Sequence, residues 1–172
     1  MNLKDTIREI PDYPEVGINF KDITTMLQDP QAFKQVVDQI SEAYLNKGIT
    51  KVVSLESRGF IVGGALAYHL NAGFVPVRKK GKLPSETFAM DYELEYGSDR
   101  IEIHKDALNE DDIVLIHDDL LATGGTALAS LELVKMLHVK KIFFSFICDL
   151  SFIETTKKEE LSKYETHVLV RY

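Results

Sequence analysis

Residues Ile113 to Thr126, IVLIHDDLLATGGT, place an apolar run, two acids, a short loop and a glycine pair flanked by threonines in immediate succession. Gly124 and Gly125 let backbone N–H groups approach an anion closely, while Thr123 and Thr126 add hydroxyl donors. A helix opening there adds an attraction of about 1 kcal/mol or less. That combination makes a phosphate cradle. Asp118 and Asp119 repel phosphate, so beside such a cradle they are suited to accept hydrogen bonds from sugar hydroxyls or to hold Mg²⁺ through water. The parts together describe a ribose phosphate site. No GK[ST] follows the glycines and no GxGxxG spacing is present in this stretch, which sets aside two common nucleotide motifs. An acid pair ending a strand, or TGGT capping a helix, is common alone; the two in direct sequence are not.

Such a loop works only where a strand hands over to a helix, and the flanking periodicity provides this. IVLIH at Ile113 to His117 is continuously apolar apart from its last residue, as central parallel strands tend to be, and TALASLELVKMLH after Gly125 has helical spacing. Upstream, Pro30 to Lys47 reads as an amphipathic helix ended by Gly48. KVVSL at Lys51 to Leu55 is a strand, followed by SRGF and a helical segment to about Leu70. GFVPV at Gly73 to Val77 reads as another buried strand, and KIFFSFI at Lys141 to Ile147 as a further one. This βαβ alternation predicts an α/β fold with a mostly parallel sheet and ligands at the carboxyl ends of its strands. Between Arg78 and Asp112 the pattern becomes long and charged, with alternating pieces such as RIEIH at Arg100 to His104. That is the expected signature of a hairpin or lid.

The 172 residues, 45% hydrophobic and 27% charged, suit one domain over 1–172 with its own core. A net charge of −7 argues against a general nucleic-acid binder, so any phosphate must be bound locally. The single cysteine, Cys148, lies in an apolar run, which fits an inert buried thiol and a reducing compartment. The first residues, MNLKDTIREI, lack an apolar signal core, and no apolar run approaches a membrane span, which makes the cytoplasm the expected location and excludes a membrane partner.

The acid and glycine loop resembles the phosphoribosyl diphosphate-binding motif of the type I phosphoribosyltransferases, and the wider chain is similar to their adenine-using family. The matching pieces are PDYPEVGINFKDIT at Pro11 to Thr24, LESRGF at Leu55 to Phe60, RKKGKLP at Arg78 to Pro84, YELEYG at Tyr92 to Gly97 and EIHKDAL at Glu102 to Leu108. They occur in family order across nearly the whole chain. The resemblance implies a mostly parallel central sheet flanked by helices, with a flexible lid hairpin and a small N-terminal hood. It also implies transfer of a phosphoribosyl group from 5-phosphoribosyl 1-diphosphate to adenine with Mg²⁺, giving AMP and diphosphate, by a homodimer.

Residue by residue, the resemblance assigns Ala122, Thr123, Gly124, Gly125 and Thr126 to the 5-phosphate and Asp118 and Asp119 to the ribose hydroxyls. Mg²⁺ would be held mainly through substrate and water, with Asp118 and Asp119 as candidate protein ligands. Glu56, Ser57, Arg58 and Gly59 would form the diphosphate loop, joined by Lys79, Lys82 and Tyr96. Glu95 would transfer a proton at the purine imidazole nitrogens. Phe20 would stack on the base, with Asn19 and Lys21 giving main-chain contacts. Read without the resemblance, Arg58 could be a surface residue opening a helix. The basic run Arg78 to Lys82 could be a solvated patch, Glu93 and Glu95 exposed hairpin positions, and Phe20 core. Departures from the family pattern are Asn19 for an apolar residue, Lys21 for arginine, Asp149 for glutamate, and His117 before the acid pair. His117 reads as a strand histidine or as a group tuning Asp118 near neutral pH. A 6-oxopurine as acceptor, or a phosphoribosyl diphosphate sensor, are the competing functions.

Overall fold

In the computed structural model, which describes residues 1–93 and 97–172, strands form where apolar runs meet turn residues. A 3-10 helix at Leu3–Thr6 precedes β1 (Arg8–Ile10), β2 (Phe20–Asp22) and α1 (Thr24–Gln28). α2 (Pro30–Tyr44) begins where the Asp29 carboxylate accepts from the N–H groups of Gln31 and Ala32, with Pro30 in the first turn. The periodicity predicts a helix to Lys47, but α2 stops at Tyr44. Leu45 is exposed, and the chain turns through Gly48 at φ +70°.

The elements that follow are β3 (Lys51–Leu55), α3 (Gly59–His69), β4 (Gly73–Lys79), β5 (Thr87–Glu93) and β6 (Ser98–His104). β7 (Ile113–Leu121), α4 (Gly125–Lys135), β8 (Lys141–Asp149), α5 (Thr156–Leu161) and β9 (Thr166–Arg171) complete the chain. Seven strands make one sheet in the order β5-β6-β4-β3-β7-β8-β9. β4, β3, β7, β8 and β9 run parallel, whereas β6 is antiparallel to both β4 and β5. The expected α/β class with a mostly parallel sheet is therefore found. β1 and β2 pair antiparallel in a separate small sheet.

β7 shows why central strands read as unbroken apolar runs. Leu115 packs into one core with Val36, Ile40, Val52 and Leu66, while Val114 and Ile116 point into the opposite core with Leu55, Leu131 and Phe144. β4 differs from the buried strand that GFVPV predicts. Only Val75 and Val77 are buried, and Phe74 stays partly exposed. The reason is its position: β6 reaches β4 only at Arg78 and Lys79, so most of that side of β4 is an open edge, where Pro76 lacks an N–H at no cost. The charged stretch after Arg78 forms the β5–β6 hairpin, paired from Thr87↔His104 to Glu93↔Ser98.

α3 approaches the sheet so closely that it tolerates no side chain at one contact. A Cβ on Gly63 would lie 1.9 Å from Ser54 Oγ and 2.8 Å from Ser54 Cβ. This closeness brings the start of α3 against the end of β7, where the acids lie.

Candidate active site

β7 runs further than its apolar residues indicate. Its ladder with β8 extends through Asp118↔Phe146 to Leu121↔Asp149, so both acids lie inside the strand rather than in the loop after it. Ala122, Thr123 and Gly124 then make the turn into α4. Gly124 adopts φ +86° and has no side chain to cap the helix; the Gly125 N–H reaches only the Thr123 hydroxyl, at a long 3.4 Å, so the start of α4 still faces the cup with N–H groups suited to an anion. A Cβ on Gly124 would meet Leu161, Lys158 and Lys157 at 3.3 to 3.4 Å, because α5 packs against the turn. The Thr155 hydroxyl donates to the Thr123 carbonyl at 2.6 Å and ties α5 to the cup.

The acids are electrically unlike surface carboxylates. Burial, reinforced by the charge of Asp119, holds the Asp118 carboxyl well above its ordinary range. Burial also raises Asp119, opposed chiefly by Arg58. Arg58 Nε lies 2.8 Å from Asp119 Oδ2, a charge contact made off the hydrogen-bonding line. The Arg58 guanidinium also sits 5.3 Å from the Phe20 ring centre, joining the acid site to the small N-terminal sheet. Gly59 is required by packing as much as by any ligand: a Cβ there would lie 2.9 Å from Asp118 Oδ1 and 3.3 Å from the His117 carbonyl.

His117 is completely buried beneath the pair. Nδ1 is 2.9 Å from Ser145 Oγ, Nε2 has no partner among the described residues, and burial lowers its pKa to about 3. It is neutral at neutral pH, which corrects the idea that it tunes Asp118 there. Cys148 is buried as expected, its thiol pushed up to about 12 by burial. Asp149 receives Lys158 Nζ at 2.6 Å, so the shorter acid still anchors α5.

Two cavities meet over the cup. One, about 400 Å³, is lined by Glu56, Ser57, Arg58, Asp118, Asp119 and the Ala122 to Thr126 turn. The other, about 740 Å³, has a largely apolar wall of Ile18, Phe20, Leu120, Leu150, Phe152 and Ile153. They share Tyr92, Leu120, Ala122, Thr123, Gly125 and Thr126, and so form two lobes of one cleft. Residues far apart in sequence thus converge: the polar lobe suits a charged sugar and the apolar lobe a flat ring.

Asn19, Phe20 and Lys21 all line the apolar lobe. Phe20 is held by an edge contact with Tyr13, ring centres 5.4 Å apart. The side chains of Asn19 and Lys21 instead converge on Glu9. Asn19 Nδ2 donates to one carboxylate oxygen at 2.8 Å, and Lys21 Nζ lies 2.8 Å from the other. Lys21 Nζ is also 4.1 Å from the centre of the Tyr172 ring. The two departures from the family pattern therefore share one partner, and Lys21 lines the lobe while its charge is used elsewhere.

The remaining sequence candidates are placed differently. The Glu56 carboxylate accepts from Arg78 and from the Lys79 N–H. Lys79 Nζ pairs with Asp99 of the hairpin at 3.0 Å, and neither Lys79 nor Lys82 lines the two lobes. Glu95 and Tyr96 lie outside the described residues. Sequence reasoning missed Tyr92, Ile153 and Lys157. Tyr92 reaches over the cup from β5, its hydroxyl donating to Asp99 at 3.2 Å. Its only signal was membership of the YELEYG segment.

A family model for the phosphoribosyl transferase domain matches residues 24–169. An adenine phosphoribosyltransferase of Bacteroides fragilis is 57% identical over 145 residues, covering 84% of this chain and 82% of that protein. The crystal structure of an adenine phosphoribosyltransferase from Rhodothermus marinus superposes with a TM-score of 0.90 at 47% identity, covering 99% of this chain and 96% of that one. That of the Giardia lamblia enzyme, complexed with 9-deazaadenine, gives 0.92 at 38% identity, covering 100% and 98%. With the two-lobed cleft, these matches settle the relationship: the chain belongs to the adenine phosphoribosyltransferase family, within the type I phosphoribosyltransferases.

Proposed function

We propose that the chain acts in purine salvage, transferring the 5-phosphoribosyl group of 5-phosphoribosyl 1-diphosphate to adenine and releasing AMP and diphosphate. The carrying observation is the junction of a polar lobe, built on Asp118, Asp119 and the Ala122 to Thr126 turn, with an apolar lobe holding Phe20. A ring in one lobe and a ribose phosphate in the other put the reacting atoms, C1 of the sugar and N9 of the base, at the shared boundary. The Giardia relative's complex with 9-deazaadenine supports an adenine-like ring as a ligand of this family.

In this reading the turn N–H groups and threonine hydroxyls hold the 5-phosphate, and Asp118 and Asp119 accept from the ribose hydroxyls. The Glu56 to Gly59 loop faces the diphosphate with Ser57, Arg58 and backbone N–H groups, while Glu56 braces Arg78. Lys79, Lys82 and Tyr96 approach as the hairpin closes, and Glu95 manages the proton at the base nitrogens. Phe20 stacks on adenine, and the backbone of Asn19 and Lys21 reads its edge. Water exclusion protects a sugar that gains cationic character as the diphosphate leaves.

Mg²⁺ fits this donor set. Two adjacent acids, Asp118 half-buried and Asp119 buried and already facing Arg58, with no cluster of three or more ligating side chains among the described residues, suit an ion that keeps waters and takes phosphate oxygens. When bound, it neutralises the diphosphate leaving group. Residues 1–172 act as one domain, with two cores on opposite faces of a single sheet. A homodimer is supported by α3, which is apolar on its outer face as well as its inner one: Ile61 is 50% and Tyr68 85% exposed. A buried lone thiol suits the reducing cytoplasm, and no helix among the described residues is long and apolar enough to cross a membrane.

The test is product formation from 5-phosphoribosyl 1-diphosphate with adenine, hypoxanthine or guanine, with and without Mg²⁺. Adenine with Mg²⁺ is expected to give AMP and diphosphate. Preference for a 6-oxopurine would overturn the base assignment, and tight phosphoribosyl diphosphate binding without turnover of any purine would mark a sensor instead.

A further inference from the structure

The phosphate cup lacks a cation within its own motif. Backbone N–H groups and threonine hydroxyls line it, two acids adjoin it, and the nearby guanidinium of Arg58 faces Asp119. A phosphate monoester brings a charge of about −1.5 to −2 near neutral pH. In a chain of net charge −7, that dianion needs a positive neighbour supplied from outside the loop.

Lys157 occupies that place. Its Nζ lies 3.7 Å from where a Cβ on Gly125 would be, a point equally 3.7 Å from Thr123 Oγ1 and 3.5 Å from the Glu93 carbonyl. The ammonium, the hydroxyl and the end of β5 thus bracket the space directly above Gly125. The support beneath Lys157 is firm: Thr155 is bonded to the Thr123 carbonyl, Lys158 to Asp149, and Leu161 packs against Gly124. Lys158 and Lys163 are paired with carboxylates, whereas among the described residues no ion pair engages Lys157. The lysine lines the apolar lobe, with its Nζ at the border where that lobe meets the cup.

We infer that Lys157 is a specificity-determining residue of this site, its ammonium completing the 5-phosphate subsite from α5. It distinguishes phosphorylated from unphosphorylated sugars, because its ammonium stands over Gly125 of the cup although its stem lines the apolar lobe. The inference rests on the proposed function for the identity of the sugar phosphate, and a charge-assisted contact of this kind is worth at least about tenfold in affinity.

The experiment measures ribose 5-phosphate binding by calorimetry, and KM values for adenine and 5-phosphoribosyl 1-diphosphate, in the wild type, Lys157→Met and Lys157→Arg. Lys157→Met is expected to weaken ribose 5-phosphate and raise KM for the diphosphate substrate about tenfold, leaving KM for adenine unchanged. Lys157→Arg, keeping the charge, should recover most of the loss. Binding by Lys157→Met within twofold of the wild type would overturn the inference. So would an equal rise in KM for adenine, which would mark a general distortion of the cleft. If the wild type turned over no adenine yet bound ribose 5-phosphate in a Lys157-dependent way, the base assignment would fall and this inference would stand.

Discussion

Arg58 shows how one side chain can serve a fold and a reaction at once. Its charge offsets part of the burial that raises Asp119, and the same guanidinium stands at the mouth of the proposed diphosphate site. Arg58→Ala removes a cation from the leaving group and leaves a buried carboxylate unpaired, so kcat/KM should fall at least tenfold, about 1.4 kcal/mol. Glu95→Gln should cost at least as much if Glu95 moves the proton at the base, and steady-state kinetics of both variants would check the roles. His117 carries a prediction of another sort. Its folded pKa, near 3, lies below the ordinary 6.5 of an unfolded chain. Above 6.5 both states are neutral and the stability is complete. As pH falls, the unfolded chain takes up a proton that the fold refuses, and stability is lost progressively toward pH 3. Between pH 7 and pH 5 this amounts to about 2 kcal/mol. Asp118 and Asp119, whose raised carboxyls favour the fold as pH falls, act in the opposite sense. Guanidinium unfolding at the two values should therefore show stability changing less favourably on acidification in the wild type than in His117→Leu, the difference being the His117 contribution.

At the scale of elements, the site depends on how closely α3 lies against the sheet. Gly63 faces Ser54 with no room for a methyl group, and Gly59 faces Asp118 in the same way. Gly63→Ala should therefore force α3 outward and cost about 1–3 kcal/mol, as overpacked cores do. Adding Ser54→Ala removes the 1.9 Å clash but leaves the 2.8 Å one with Ser54 Cβ, so only part of the melting temperature should return. Full recovery would show that the hydroxyl alone sets the spacing. None of this is visible in the sequence, where Gly63 is merely a glycine in a helical run. β3, β7 and β8 were legible because burial on both faces leaves mainly apolar, β-branched or aromatic runs, broken internally only at Ser54, at Ser145 and from His117 onward. β1 and β2 have three residues each and α5 six, too short to display a period. The extension of β7 through Asp118 and Asp119 was hidden for a related reason: acids break the apolar run although the backbone ladder continues. The cup itself was legible because glycines, threonines and acids stand consecutively. Lys157 was not, because only the docking of α5 brings it there.

For the whole molecule, the sheet places the acids, the cup and both lobes at one end, and the small N-terminal sheet walls the apolar lobe with Phe20 and Lys21, the latter held by Glu9 and Tyr172. That arrangement leaves α3 unfinished. Val62 and Leu66 are fully buried on its inner side, while Ile61, Gly64 and Tyr68 repeat at helical spacing on the outer one. Phe60 and Phe74 stack edge to face beside them, ring centres 5.6 Å apart. A helix apolar all round is stable only when both sides are covered, and a two-fold copy covers the same stripe with itself. In the proposed dimer, Tyr68→Glu would place two like charges near the axis and bury them at the expense of solvation. Sedimentation velocity should then show a dimer for the wild type and a monomer for Tyr68→Glu, with the far-ultraviolet circular dichroism unchanged. Because α3 begins at Arg58 and Gly59, separation of the subunits should also lower turnover, although Tyr68 itself does not line the cleft. A Tyr68→Glu protein that remained dimeric would move the interface to another face, and a monomer with full activity would separate assembly from catalysis.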